Sequence, residues 1–376
     1  MAEASVSRRR NPFEGLTIGA VLLEARAFLA LVVIFIVFSL LAPNAFPTLS
    51  NIIVMCQQVS VYAILAVGML VVILDGGIDL SVGSTLGLSG MVAGLALQGF
   101  PLGGMVLYPP VWVVVVIAVA TGAVIGLING VLVARLNVAP FVATLGTMYV
   151  MRGLASLTTN GLTVNNLGGR ADLGNTGFEW LGFNSLLGIP VGVWILVVVA
   201  IVASLLLNRT VYGRWLYASG GNARAAELSG VPVRKVRVRA YVISGVCAAI
   251  AGVILTSELT SAGPTQGTSY ELTAIAAVVI GGASLMGGKG TVRGTLLGAF
   301  VIGFLAAGLT IVGISAYVQT VFTGAVIVLA VLLNGIQVRR RRRAGREGAG
   351  SPPLPPSTVG SQNGDTVPSA VKNKAV

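Results

Sequence analysis

The chain has no histidine, two cysteines in 376 residues, and only 10% charged side chains. Each shortage excludes something. Without histidine there is no imidazole base and no mixed Cys/His zinc site. Cys56 and Cys247 both stand inside apolar runs, so no disulfide framework is available and they read as small packing residues. Asp and Glu together number 12. Few of these lie inside apolar runs, which removes the usual mark of an ion-coupled carrier. A phosphate loop of the form GxxxxGK[ST] is also missing. The nearest stretch, GGKGTVRG from Gly287, has the wrong spacing and follows no strand. No cofactor and no catalytic residue are therefore expected.

Apolar sequence is abundant. Apolar residues make up 55% of the chain, with 50 glycines, and the mean hydropathy is +0.91. Soluble domains carry about 25% charged residues, and 10% is too few to cover a soluble surface of this size. Apolar runs at 27–42, 51–74, 82–98, 111–134, 139–157, 186–207, 240–258, 271–286, 294–313 and 318–336 predict about ten membrane spans. The runs are continuous rather than alternating, which excludes an outer-membrane barrel. The first run follows basic residues as a secretory signal would, but the spans behind it favour an uncleaved first helix. The fold class predicted is an all-α polytopic integral membrane protein.

The net charge of +12 comes largely from clusters at Arg8–Arg10, Arg209–Arg239 and Arg339–Arg343. In a membrane protein such clusters mark cytoplasmic loops rather than nucleic-acid binding. With the N-terminus inside, nearly every basic loop residue falls on one side, Arg170 being the main exception, and both termini are cytoplasmic. The organisation expected is a cytoplasmic segment 1–26, a transmembrane domain 27–336 and a disordered Pro-rich tail 337–376. Asp75 and Asp79 at one span end, and Glu258 and Glu271 beside an outer loop, read as solvated end charges. Arg152 falls inside a predicted span and calls for a partner across the bundle.

Two Gly-rich turns have similar settings. LDGGIDLSVGSTLG from Leu74 and GGASLMGGKGTVRG from Gly281 each join an inbound span to an outbound one. A shift of 207 positions places Gly83 on Gly290, Ser84 on Thr291 and Gly87 on Gly294. Two weakly related halves would produce this, and so would the general richness of membrane helices in small residues. Gly252 with Ala248 and Ala249, and Gly298, Gly303 and Gly308, are candidates for close helix seams.

One segment has no place in a span. GGNARAAELSGVP from Gly220 offers Asn222 as an N-cap, an Ala-rich run through Ala225, Ala226 and Glu227, Gly230 as a left-handed terminator and Pro232 as a stop. A helix of about two turns is unstable alone in water. Its apolar face is too meagre to rest on lipid, so a protein partner is expected.

This segment resembles the cytoplasmic coupling loop of permease subunits in ATP-binding-cassette importers. Three further stretches are similar to the ribose/xylose-type monosaccharide permeases, members of the binding-protein-dependent inner-membrane transport component family: ILAVGMLVVILDGGIDLSVGS from Ile64, NGVLVARLNVAPFVATLGTMYVMRG from Asn129, and TSYELTAIAAVVIGGASLMGGKGTVRGTLLGAF from Thr268. The likeness runs from about Asn51 to Asn334. It implies a multi-pass permease of the bacterial inner membrane that moves a ribose- or xylose-like sugar to the cytoplasm. The implied partners are a second copy or paralogue, separate cytoplasmic ATPase subunits and an extracytoplasmic sugar-binding protein.

Within the coupling region 208–239, Asn222, Ala225, Ala226, Glu227 and Gly230 would form the ATPase contact. Here Glu follows the alanines, whereas the general importer motif has it before them. The turns at Asp75, Gly76, Gly77 and Asp79, and at Gly287, Gly288, Lys289 and Gly290, are the candidate gating turns. A permease for branched-chain amino acids or another small polar solute is the nearest alternative, followed by an ion-coupled secondary carrier. A membrane-embedded enzyme would lack the groups it needs.

Overall fold

The computed structural model describes residues 26–326 together with Val328 and Leu332. The tail 337–376 and, Arg26 apart, the N-terminal segment 1–26 lie outside the described residues. Among the described residues the fold is carried by α1 (Arg26–Leu41), α2 (Leu49–Leu74), α3 (Val82–Gln98), α4 (Val111–Ala134), α5 (Pro140–Leu157), α6 (Trp180–Phe183), α7 (Val191–Arg209), α8 (Val211–Gly221), α9 (Ala223–Leu228), α10 (Val233–Leu259), α11 (Tyr270–Ile280) and α12 (Val292–Ile311). Residues 316–326 are helical as well. Three two-stranded antiparallel ribbons close loops: Phe100–Leu102 with Met105–Leu107, Val164–Asn165 with Ser261–Ala262, and Ser185–Leu186 with Ile189–Pro190.

Helices α2, α4, α7, α10 and α12 are long and apolar enough to cross a membrane, and α1, α3 and α11 are shorter apolar helices. The protein is a helical polytopic membrane protein. Each predicted apolar run overlaps a helix, but the run at 186–207 opens on a ribbon ahead of α7, the run at 271–286 ends its helix at Ile280, and the run at 318–336 extends beyond the described residues. Helix α10 begins at Val233, before the predicted 240, because Arg234, Lys235, Arg237 and Arg239 form its first turns instead of a loop. Charged residues can occupy the end of a spanning helix when their heads reach the polar boundary.

Helix α2 is the axle. It is apolar on all faces and buried on all faces from Ala63 to Leu74. Around it pack α10, α11, α12 and α7, whose buried side chains form one continuous core with it. Helices in lipid gain nothing from hiding apolar area against one another, so close backbone approach must supply the attraction. The seam of α4 against α10 shows how: a Cβ on Gly122 would overlap the Gly245 carbonyl oxygen, and one on Gly245 would overlap that of Gly122. The suggested seam glycines behave alike, Gly252 meeting the Leu86 backbone, Gly298 the Ala277 carbonyl, Gly303 Val59 and Gly308 the Phe38 ring. Large apolar side chains instead point outward from α1, α4 and α7, among them Leu40, Trp112, Val116 and Ile201. Such a surface suits lipid and not water.

The shift of 207 positions is not kept at the helix starts. It would place Val82, the first residue of α3, on Lys289, whereas α12 begins at Val292.

Candidate functional site

Helix α9 has the caps its sequence promises. The Asn222 side chain accepts from the Ala225 N–H at 3.0 Å. At the far end the Val231 N–H reaches the Ala226 carbonyl at 3.0 Å and the Gly230 N–H reaches Glu227 at 3.0 Å, with Gly230 at φ +84°. These two bonds and the left-handed glycine make a Schellman cap. Only Ala226 is buried; Asn222, Ala225, Glu227, Leu228 and Gly230 are exposed. Arg224 and Glu227 face each other at 3.5 Å on the open surface, a pair worth well under about 1 kcal/mol. The helix is thus held by one alanine and its caps, and presents the rest of its surface outward.

Its mounting is the end of α8. The Tyr217 hydroxyl donates to the Gly290 carbonyl at 2.8 Å, and the Ser219 hydroxyl donates to the Asp75 carboxylate. A Cβ on Gly220 would overlap the Leu74 carbonyl oxygen and stand 2.7 Å from the Gly288 nitrogen. Those two atoms are themselves bonded, Gly288 N–H to Leu74 carbonyl at 2.9 Å. Gly287 lies against both Gly220 and Gly76. Both Gly-rich turns, far apart in sequence, therefore meet each other and α8 at one backbone junction, with α9 following directly behind. Gly76 and Lys289 are exposed there, while Gly77 and Gly287 are buried.

Asp75 and Asp79 are not the solvated end charges expected, since Asp75 is 6% and Asp79 1% exposed. The chain after α2 turns back into the bundle instead of leaving it. Arg237 of α10 donates from Nε to Asp75 Oδ2 at 2.7 Å. Asp79 takes the Ser81 N–H at 3.0 Å, the Ser81 hydroxyl at 2.6 Å and the Ser244 hydroxyl at 2.8 Å. Asn129 extends this network to Ser81 at 2.8 Å, and Thr144 touches the Ile78 carbonyl at 3.3 Å. Four helices are thereby tied to the first turn through polar side chains.

Glu258 and Glu271 also differ from expectation, being partly buried, each with one carboxylate oxygen that has no hydrogen-bond partner. The loop between them does not stay outside. Tyr270, which opens α11, has its ring centroid 4.6 Å from that of Tyr62, near the middle of the 26-residue α2. Arg152 finds its partner here. Its guanidinium donates to the Pro264 and Gln266 carbonyls at 2.9 and 2.7 Å. Non-helical backbone at this depth is tolerated only where its polar groups are satisfied within the protein or in a water-filled cavity.

Sequence reasoning missed Ser219, Gly220, Tyr217 and Arg237. Asp75 carried little signal, because no Lys or Arg stands between Arg26 and Arg135 to suggest a partner. Nothing in the sequence chooses Arg237 among the many basic residues of Arg209–Arg239.

Comparison with known proteins identifies the family. The model of the family described as branched-chain amino acid transport system / permease component matches residues 51–331. The ribose import permease protein RbsC of Escherichia coli strain K12 is 46% identical over 314 residues, covering 83% of this chain and 94% of the relative. The ribose import permease of Bacillus subtilis strain 168 is 43% identical over 333 residues, 88% and 97% of the two chains. The D-allose transport system permease protein AlsC of Escherichia coli strain K12 is 37% identical over 310 residues, 82% and 90% of the two. No solved structure matches. The chain belongs to the branched-chain amino acid transport system / permease component family, among the ribose-type ABC importer permeases, which are transport components rather than enzymes.

Proposed function

We propose that this chain is the membrane path for a monosaccharide of the ribose class, imported at the expense of ATP hydrolysed by separate cytoplasmic subunits. The observation that carries the reading is the exposed, doubly capped α9 standing on the Gly220 junction, where both Gly-rich turns meet. An element mounted in this way delivers displacement directly to α2, α3, α11 and α12. An ATPase that binds it differently in two states would bias the bundle between two arrangements.

In this account Asn222, Ala225, Glu227 and Gly230 belong to the ATPase contact, and Ala226 anchors the helix from beneath. Asp75, Gly76, Gly77 and Asp79 with Gly287, Gly288, Lys289 and Gly290 form the moving gate. A second copy or paralogue, an extracytoplasmic sugar-binding protein and a bacterial inner membrane complete the setting. Both termini face the cytoplasm, the spans number about ten, and two halves share an orientation. Relatives named for ribose and D-allose support the sugar. The family description supports a second reading, a branched-chain amino acid, so leucine belongs in any substrate panel.

The test is co-purification of the ATPase subunits with variants of α9. Ala226→Arg and Glu227→Lys are expected to lose the complex, and retention by both contradicts the reading. Asn222→Ala removes an N-cap worth about 1 kcal/mol, so ATPase affinity is expected to fall about fivefold by titration. An unchanged affinity would mean that α9 is ordered without its cap.

A further inference from the structure

The loop that runs from α10 into α11 sits at a depth where lipid is the ordinary neighbour, and it is polar. Helix α11 has 11 residues, about 16 Å at 1.5 Å per residue, or half of a hydrocarbon core about 30 Å thick. It starts level with Tyr62, halfway along α2. Before it comes Thr265-Gln266-Gly267-Thr268-Ser269, where Thr265, Thr268 and Ser269 are exposed. A lipid-facing hydroxyl run with non-helical backbone is not viable at that depth, so this surface faces either protein or a water-filled path, and its hydroxyls suit the path.

The chemistry behind it is one-sided. Glu258 Oε1, Glu271 Oε2 and Gln266 Oε1 are three acceptors with no donor. Gln57 donates to the Gly182 carbonyl and also lies within reach of the Glu258 carboxylate, whose Oε1 is still left without a partner. Arg152 donates from one terminal nitrogen to the Pro264 and Gln266 carbonyls, with its charge near Glu271. Leaving such acceptors dry costs about 1–3 kcal/mol each, more for charged groups. What they lack is a supply of hydroxyl donors. Beside them the tilted Tyr62–Tyr270 pair, at 51° between planes, offers ring surface with polar tips. Many hydroxyl donors combined with short C–H faces describe a polyhydroxylated solute.

We propose that Glu258, Gln266, Ser269, Glu271 and the Tyr62–Tyr270 pair form the half-depth station of the path, at which the hydroxyl groups of a sugar are received during passage. The three oxygens are closed off from solvent in this arrangement, and the sugar reaches them as the path opens. The ligand class rests on the monosaccharide reading given above; the wet, half-depth surface does not.

The test uses the complete transporter in proteoliposomes, with uptake of ribose and 2-deoxyribose measured in wild type, Glu258→Gln and Glu271→Gln. With the binding protein held constant, any change in the ratio of the two sugars arises in this chain. The expected result is ribose uptake reduced about tenfold and the preference for ribose over 2-deoxyribose narrowed. In parallel, Ser269→Cys and Val116→Cys, in a background of Cys56→Ala and Cys247→Ala, are treated with a charged methanethiosulfonate reagent. Ser269→Cys is expected to react, with ribose slowing it, while Val116→Cys, on the outer face of α4, stays unmodified. Wild-type ribose import with unchanged uptake and ratio in both variants overturns the inference alone, as does an inert Ser269→Cys. A wild-type assembly that imports neither sugar overturns the monosaccharide reading and the sugar station with it, whereas labelling of Ser269→Cys would still establish the wet surface.

Discussion

Gly220→Ala is expected to cut coupled transport strongly while leaving the chain in the membrane. The position is helical and ends α8, so on propensity alone alanine should help by about 1 kcal/mol. The effect must come from the neighbours. The added carbon would overlap the Leu74 carbonyl oxygen and sit 2.7 Å from the Gly288 nitrogen. Both are backbone atoms that cannot rotate away, and they are already bonded to each other at 2.9 Å. Overpacking of this kind costs about 1–3 kcal/mol, and the lost hydrogen bond adds about 1 kcal/mol. The cheapest relief is to lift the end of α8 off the two turns, which disconnects α9 from the bundle. Net of the propensity gain about 1–3 kcal/mol remains, so ATP-dependent uptake should fall about fivefold to a hundredfold at 1.4 kcal/mol per tenfold. Gly221→Ala is the matched control, since a Cβ there meets nothing within 4 Å. Equal uptake by the two variants would remove the junction from the mechanism.

The second large effect concerns Arg237→Met. The Asp75 side chain is 2% exposed and the Arg237 side chain 28%, so the two halves of the pair are not equivalent. Removing the arginine strands a carboxylate that cannot reach water, whereas removing the carboxylate leaves a guanidinium that can. Breaking a buried pair from one side costs about 3–5 kcal/mol. Arg237→Met should approach that range, and Asp75→Asn should cost less because Arg237 can turn to solvent and Ser219 can still bond an amide oxygen. The double variant should recover much of the loss, because a neutral asparagine no longer needs the cation. Thermal unfolding in detergent measures all three. A stability order with Asp75→Asn as the worst variant, or a double variant below both singles, would contradict this asymmetry.

Much of the fold was legible because membrane spans are written in composition. The run at 82–98 coincides with α3, and the run at 111–134 with α4, since nothing but apolar length is needed to specify them. The caps of α9 were legible for a similar reason: Asn222, Gly230 and Pro232 act through their own local chemistry. What could not be read was depth. Asp75, Asp79, Glu258 and Glu271 lie next to apolar runs, and a linear sequence does not distinguish a turn left at the end of the bundle from one packed back against its helices. The seating of Gly220 on Leu74 and Gly288 is equally silent in sequence, because a glycine chosen for close approach looks like any other of the 50. Arg152 had announced a need for partners, but satisfaction by the Pro264 and Gln266 carbonyls, rather than by a carboxylate, depends on a loop whose position only the fold reveals.

The central claim is that α9 passes the work of an ATPase into a sugar path. Its most direct test is ATP hydrolysis in proteoliposomes holding this chain, its ATPase and its binding protein, with ribose, D-allose, L-arabinose and leucine added in turn. Stimulation by a monosaccharide, lost in Glu227→Lys, is the result predicted. Uptake by this chain alone, driven by an ion gradient with no ATP present, would contradict it.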